Sequence, residues 1–148
     1  MPNLNTTIHF DMDGTLADLF AVDHWVDRLR KEDTTPYLEA KPLLKLNLLA
    51  RQLHKLQKKG YKIGVISWLS MGASDKYNAE VEIAKREWLA EHLPSVQWDS
   101  LVIVPYGTPK ENYGTPNDIL FDDDIRNREN WIGTAYDVDD ILGVLKRL

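Results

Sequence analysis

Short apolar runs alternate along this chain with segments whose apolar residues recur at helical spacing. Thr7 to Asp11 (Thr-Ile-His-Phe-Asp) is brief and mostly apolar, the mark of a buried strand. Asp18 to Lys31 carries Leu19, Val22, Val26 and Leu29 on one stripe, which predicts an amphipathic helix. Glu32 to Pro36 is a polar break. Pro42 suits the first turn of a second helix, whose stripe runs through Leu46, Leu49, Leu53 and Leu56 before Gly60 ends it. That leucine stripe is too short for sustained heptads and reads as core packing.

Tyr61 to Ser67 predicts a second strand, apolar enough to be central. Trp68 to Ser74 reads as a loop, and Asp75-Lys76 as a solvated helix start. Tyr77 to Leu93 predicts a helix with Val81, Ala84, Trp88 and Leu89 facing inward, stopped by Pro94. Leu101 to Val104 is a third strand, and Pro105 to Asn117, rich in proline and glycine, a loop. Asp118 to Phe121 and Trp131 to Tyr136 complete five strands. Asp137 caps a last helix through Ile141, Leu142 and Leu145.

Strands alternating with helices predict an α/β fold of three layers, a mainly parallel Rossmann-like sheet covered on both faces. Ligands of such sheets bind beyond the carboxyl ends of the strands. Asp11 and Asp13 follow the first strand, Ser67 closes the second, and Asp122 and Asp123 follow the fourth. All the chemically interesting residues therefore gather at one end.

The 148 residues suffice for a single domain with a real core, 1–148. A formal charge of -5 argues against an extended nucleic-acid footprint but permits a small nucleotide. The absence of cysteine excludes disulfides and thiolate zinc sites, and the four histidines show no metal-ligand spacing. The start, Met1-Pro2-Asn3-Leu4-Asn5, lacks the basic and apolar regions of a signal peptide, and no stretch approaches membrane-spanning length. A soluble, cytoplasmic protein without membrane partners is expected.

The most informative stretch is Ile8-His9-Phe10-Asp11-Met12-Asp13-Gly14-Thr15-Leu16. Strand periodicity aims Asp11 and Asp13 to the same side, and Gly14 lets the backbone fold back beside them. Two converging carboxylates attract a hard cation such as Mg2+, and one of them can attack phosphorus. The bland alternative is a solvated Asp-x-Asp-Gly turn.

This motif resembles the nucleophile motif of the haloacid dehalogenase-like (HAD) phosphatases. Ser67 resembles their second motif, Lys110 their basic third, and Ile119-Leu120-Phe121-Asp122-Asp123 their acidic fourth. A narrower resemblance, carried by Glu82 to Leu89, Lys110, Asp118 to Asp124, Asn127 and Trp131, is to the 5'(3')-deoxyribonucleotidases. It implies a Mg2+-dependent phosphomonoesterase acting on nucleoside monophosphates. Asp11 would be the nucleophile and Asp13 the general acid/base. Thr15, Ser67, Trp68 and Lys110 would serve the phosphate and substrate. The metal would be held by Asp11, the backbone carbonyl of Asp13, and Asp122 or Asp123.

Plainer readings stand beside these roles. Ser67 can be a strand-end residue, Lys110 a solvated lysine, Asp124 the polar start of a turn, and His9 a packing residue. Trp68 can stack on a base or merely shield its loop. The resemblance also implies a large cap between the first two motifs, yet only residues 17–60 lie there and 17–41 allow little more than one helix and a loop. A reduced, vestigial cap is expected, leaving an open site that a homodimer or a bulky substrate would cover. Trp25, Tyr37, Trp68 and Tyr77 are the aromatics expected at its entrance. Other phosphoesters (sugar phosphates, phosphoproteins, nucleic-acid ends), transfer to a second acceptor, and a non-catalytic binding role on the same fold are the competing readings.

Overall fold

The computed structural model describes residues 5–148; most of the segment read as lacking a signal peptide lies outside them. Strand β1 (Thr7–Phe10) leads through a tight turn into the two-residue strand β2 (Ala17–Asp18). Two short helices follow, α1 (Trp25–Arg30) and α2 (Thr35–Glu39), before β3 (Lys41–Pro42) pairs antiparallel with β2. Helix α3 (Leu46–Lys58) and β4 (Lys62–Trp68) come next, then α4 (Asp75–His92) and β5 (Ser100–Val104). The chain ends with β6 (Ile119–Phe121), α5 (Ile125–Asn130), β7 (Thr134–Tyr136) and α6 (Ile141–Arg147).

Five strands form one parallel sheet in the order β5-β4-β1-β6-β7, with helices around it, as expected of a Rossmann-like α/β fold. From β1 the chain steps outward to β4 and β5, then returns across β1 to β6. The reversal puts a crevice beyond the carboxyl ends of β1 and β6, where such folds bind ligands. No helix among the described residues is long and apolar enough to cross a membrane.

Alternation along the strands sets the core. Ile8, Phe10, Ile63, Val65, Ile119 and Phe121 point to one face and are buried with Leu49, Leu53 and Leu56 of α3 and Ile141, Val144 and Leu145 of α6. On the other face Ile66 and Leu120 pack with Trp131, which follows α5. His9 has the structural role foreseen for it, bonding Asp118 at 3.1 Å and meeting Trp131 edge-on.

Three expectations are corrected. Residues 18–31 are not one helix: Asp18 pairs with Lys41 in β2–β3, residues 19–21 form a single 3-10 turn, and His24 breaks the path at a left-handed φ of 57. Of the stripe, Leu19, Val26 and Leu29 line a cavity, while Val22 packs against the main core. Pro42 does not open a helix; lacking an N–H, it sits in the short edge ribbon, and α3 starts at Leu46. The last strand begins only at Thr134, because α5 occupies 125–130 and Trp131 turns its indole N–H onto the Asp118 carbonyl.

Leu53 is fully buried midway along α3. Leu53→Ala should cost about 2–5 kcal/mol in chemical denaturation; a loss under about 1 kcal/mol would contradict this packing.

Candidate active site

Parallel register delivers the first carboxylates. Phe10, Phe121 and Tyr136 are partners across β1, β6 and β7, and their rings stack at 5.3 and 5.7 Å. One residue further, the Asp11 N–H donates to the Phe121 carbonyl at 2.9 Å and the Asp122 N–H to the Tyr136 carbonyl at 3.1 Å. Both side chains are thereby fixed at the sheet edge. The backbone then reverses at Gly14, whose φ of 84 favours glycine. A methyl group there would stand 2.4 Å from Asp123 Oδ2, so the turn also needs glycine's missing side chain.

Lys110 enters from a 3-10 turn (Lys110–Tyr113) and is 1% exposed. Its Nζ donates to Asp11 Oδ1 and Asp122 Oδ2, both at 2.8 Å. Thr15 donates its hydroxyl to Asp11 Oδ2 at 2.9 Å and accepts the Asp123 N–H at 3.2 Å. Asn127 donates to Asp122 Oδ2 at 3.1 Å. Asp124 instead caps α5, accepting the Arg126 N–H and pairing with its guanidinium. The polar-turn reading of Asp124 describes its contacts.

A second buried lysine went unassigned in the sequence. Lys85 of α4 is fully buried, and its Nζ reaches Asp13 Oδ2 at 2.7 Å, Ser67 Oγ at 2.7 Å and the Trp68 carbonyl at 2.8 Å. Its signal was present: residue 85 falls on the buried stripe of Val81, Ala84, Trp88 and Leu89, where a lysine needs partners. Ser67 is buried behind Lys85 and does not line the cavity, although its hydroxyl hydrogen stays available. The Trp68 N–H is held by the Thr108 carbonyl at 2.8 Å, and the ring packs on Tyr106 with Lys110 Nζ 5.3 Å from its centre.

These contacts separate the protonation behaviour of the carboxyls. Burial alone would raise Asp11, but the Lys110 charge and hydrogen bonds involving Asp123, Lys110 and Thr15 outweigh it and hold Asp11 below the usual range. Burial raises Asp13, and Lys85 only partly offsets it. Burial and the Asp11 charge push Asp122 up to about 6, against the pull of Lys110. Asp123, the exposed member, is pushed up to about 8 by desolvation of its carboxyl and by its contact with Asp11.

Asp11, Asp122 and Asp123 each place one oxygen within 4.8 Å of the others. Three hard oxygen donors carrying a surplus of negative charge fit a cation such as Mg2+, which would relieve the strain that raises Asp122 and Asp123. The Asp13 side chain is not one of this trio, and its Oδ2 is bonded to Lys85.

The trio opens into a cavity of about 460 Å³. Its far walls come from residues 19–37 (Leu19, Phe20, Trp25, Leu29, Tyr37) and from the loop at 69–73. Of the expected entrance aromatics, Trp25, Tyr37 and Trp68 line it. Tyr77 instead packs with Leu19 and Val81 and donates its hydroxyl to the Asp33 carbonyl. Phe20 and Tyr106 were not foreseen.

No family model matches this chain, and no curated protein matches it. Among solved structures, D,D-heptose 1,7-bisphosphate phosphatase from Burkholderia thailandensis superposes with a TM-score of 0.51 at 16% identity, covering 84% of this chain and 70% of that one. The HAD domain of effector protein Lem4 from Legionella pneumophila aligns with a TM-score of 0.41 at 14% identity, covering 91% of this chain and 86% of that one. The first likeness shows the fold: a parallel five-stranded α/β sheet with helices around it, shared with that phosphatase.

Two outcomes follow. Lys85→Met strands Asp13 and Ser67 and should lower stability by about 3 kcal/mol in denaturant titration. The raised carboxyls predict a pH slope. An unfolded carboxyl deprotonates near about 4, whereas folded Asp122 and Asp123 hold their protons up to about 6 and about 8. The native state binds more protons in that window, so stability falls as pH rises through it. Without divalent cation the thermal midpoint should fall from about pH 5 to about pH 8. Mg2+ should restore it most at the upper end, and Asp123→Asn should flatten both effects. An unchanged slope in that variant would refute the assignment.

Proposed function

We propose that this chain is a Mg2+-dependent phosphomonoesterase working through an aspartyl-phosphate, with nucleoside monophosphates as substrates in the manner of the 5'(3')-deoxyribonucleotidases. The observation that carries the reading is the division of labour between Asp11 and Asp13, each held by its own buried lysine. Asp11 is kept ionised beside Lys110, as a carboxylate nucleophile must be. Asp13 is pushed toward the protonated form, as a general acid must be.

In the first step an Asp11 oxygen bonds to phosphorus while the bond to the ester oxygen breaks. Asp13 gives its proton to that leaving oxygen. In the second, water attacks the same phosphorus, Asp13 takes the proton back, and the Asp11 carboxylate is released with inorganic phosphate. Lys110 holds Asp11 in place and offsets charge on the transferring group. Lys85 fixes the orientation of Asp13 and Ser67. When bound at Asp11, Asp122 and Asp123, Mg2+ supplies charge neutralisation between carboxylate and phosphate dianion. Residues 19–40 act as a reduced cap whose aromatic and aliphatic side chains suit a flat leaving group such as a nucleobase.

Phosphate release from deoxy- and ribonucleoside monophosphates, sugar phosphates and 4-nitrophenyl phosphate, with Mg2+ or chelator, tests this. Chelator-sensitive turnover favouring nucleotides is expected, and Asp11→Asn should lower it by at least about a thousandfold with the fold intact. Comparable turnover by that variant would remove the mechanism. A preference for sugar phosphates would retain the chemistry and overturn the substrate.

A further inference from the structure

We infer that the cavity holds a second anion subsite at Arg30, so that the substrate carries a second anionic group, such as a second phosphate, beyond its apolar body. The inference rests on the phosphatase reading of the carboxylate end and names what the opposite wall recognises.

Only two cations line the cavity among the described residues, Lys110 and Arg30. Lys110 is consumed by Asp11 and Asp122. Arg30 is exposed, at the end of α1, and its guanidinium makes no hydrogen bond or ion pair with any described residue. Its surroundings show that partners were at hand. Arg28, two residues earlier, donates to Asp33, Glu39, Thr35 and the Asp23 carbonyl. Glu32, two residues later and also on the cavity wall, is fully engaged elsewhere: one oxygen accepts the Ser74 N–H at 3.0 Å and the other the Ser74 hydroxyl at 2.7 Å. None of the acids nearest in sequence, Asp27, Glu32 and Asp33, forms an ion pair with the Arg30 guanidinium.

An unpaired guanidinium on a residue of the cavity lining offers a planar fork for phosphate or carboxylate. It enters from the insert, while the reacting carboxylates enter from the sheet, with Leu19, Trp25 and Leu29 among the apolar residues of the wall. A lining that holds carboxylates, apolar residues and Arg30 suits a ligand with a phosphate, an apolar body and a second anionic group, as in a nucleoside 3',5'-bisphosphate. One phosphate is transferred to Asp11 and then to water; the other stays on the product and rests against Arg30.

The test compares kcat/KM for a deoxynucleoside 3',5'-bisphosphate and the matching 5'-monophosphate in the full chain, Arg30→Gln and Arg30→Lys, with circular dichroism confirming that each is folded. The wild type should prefer the bisphosphate. Arg30→Gln should cut that preference by about tenfold or more, and Arg30→Lys should keep part of it. Equal use of the two substrates, or a preference untouched in Arg30→Gln, overturns the subsite. The same two compounds are titrated against tryptophan fluorescence, since Trp25 and Trp68 line the cavity. If no ester is hydrolysed, the phosphatase reading fails, and the ratio of dissociation constants decides the Arg30 subsite alone: a preference lost in Arg30→Gln supports it, and equal ratios overturn it.

Discussion

Four carboxylates crowd the carboxyl edge of this sheet, and the site exists only because two buried lysines hold them there. At a few ångströms, like charges in a poorly solvated crevice repel by several kcal/mol. Lys110 compensates the Asp11–Asp122 side and Lys85 the Asp13 side. The two cations come from different connections, Lys85 from the helix after β4 and Lys110 from the long loop after β5. The carboxylate edge is thus pinned to both crossovers, and loosening either would scatter the carboxylates. Asp123 has no such cation beside it, and desolvation together with its contact with Asp11 pushes its carboxyl up to about 8.

Strand and helix assignments were legible wherever one local signal dominated. The leucine stripe of α3 and the apolar run of β4 are unambiguous, and Phe10-Asp11 and Phe121-Asp122 announce strands that end in acids. The acidic and basic motifs along the chain therefore led to the residues that the register brings together. Lys85 stayed hidden because lysine on a helix normally reads as solvated, and only its position on an apolar stripe says otherwise. The segment at 18–42 misled for a different reason: its apolar residues are divided between a cavity (Leu19, Val26, Leu29) and the main core (Val22), so a helical spacing appears without a continuous helix. Neither the free Arg30 nor the engaged Glu32 could be distinguished by sequence, since both depend on where Ser74 lies.

The insert is small, yet it is stiffened by the fan of hydrogen bonds around Arg28 and fastened to α4 through Glu32 with Ser74, and Tyr77 with the Asp33 carbonyl. The Trp88 indole N–H secures its far end by donating to the Ala40 carbonyl, 2.8 Å away. Two short helices held at several points can serve as a wall where a longer, loosely tethered lid would have to close. Shape selection is then built in before a ligand arrives, which lowers the ordering cost of binding.

The ribbon of β2 and β3 has a consequence of another kind. It brings Ala17 and Asp18 directly beside Pro42 and Lys41, so the segment leaves and rejoins the main body at one point. Closing a longer loop across such a gap costs little extra entropy, since the cost grows only with the logarithm of length. The junction behaves as a socket: insertions of very different size could be exchanged there while the sheet and its carboxylates remain undisturbed. In a lineage of such proteins, selectivity could change by replacement of this plug-in segment while the chemistry beneath it stays the same.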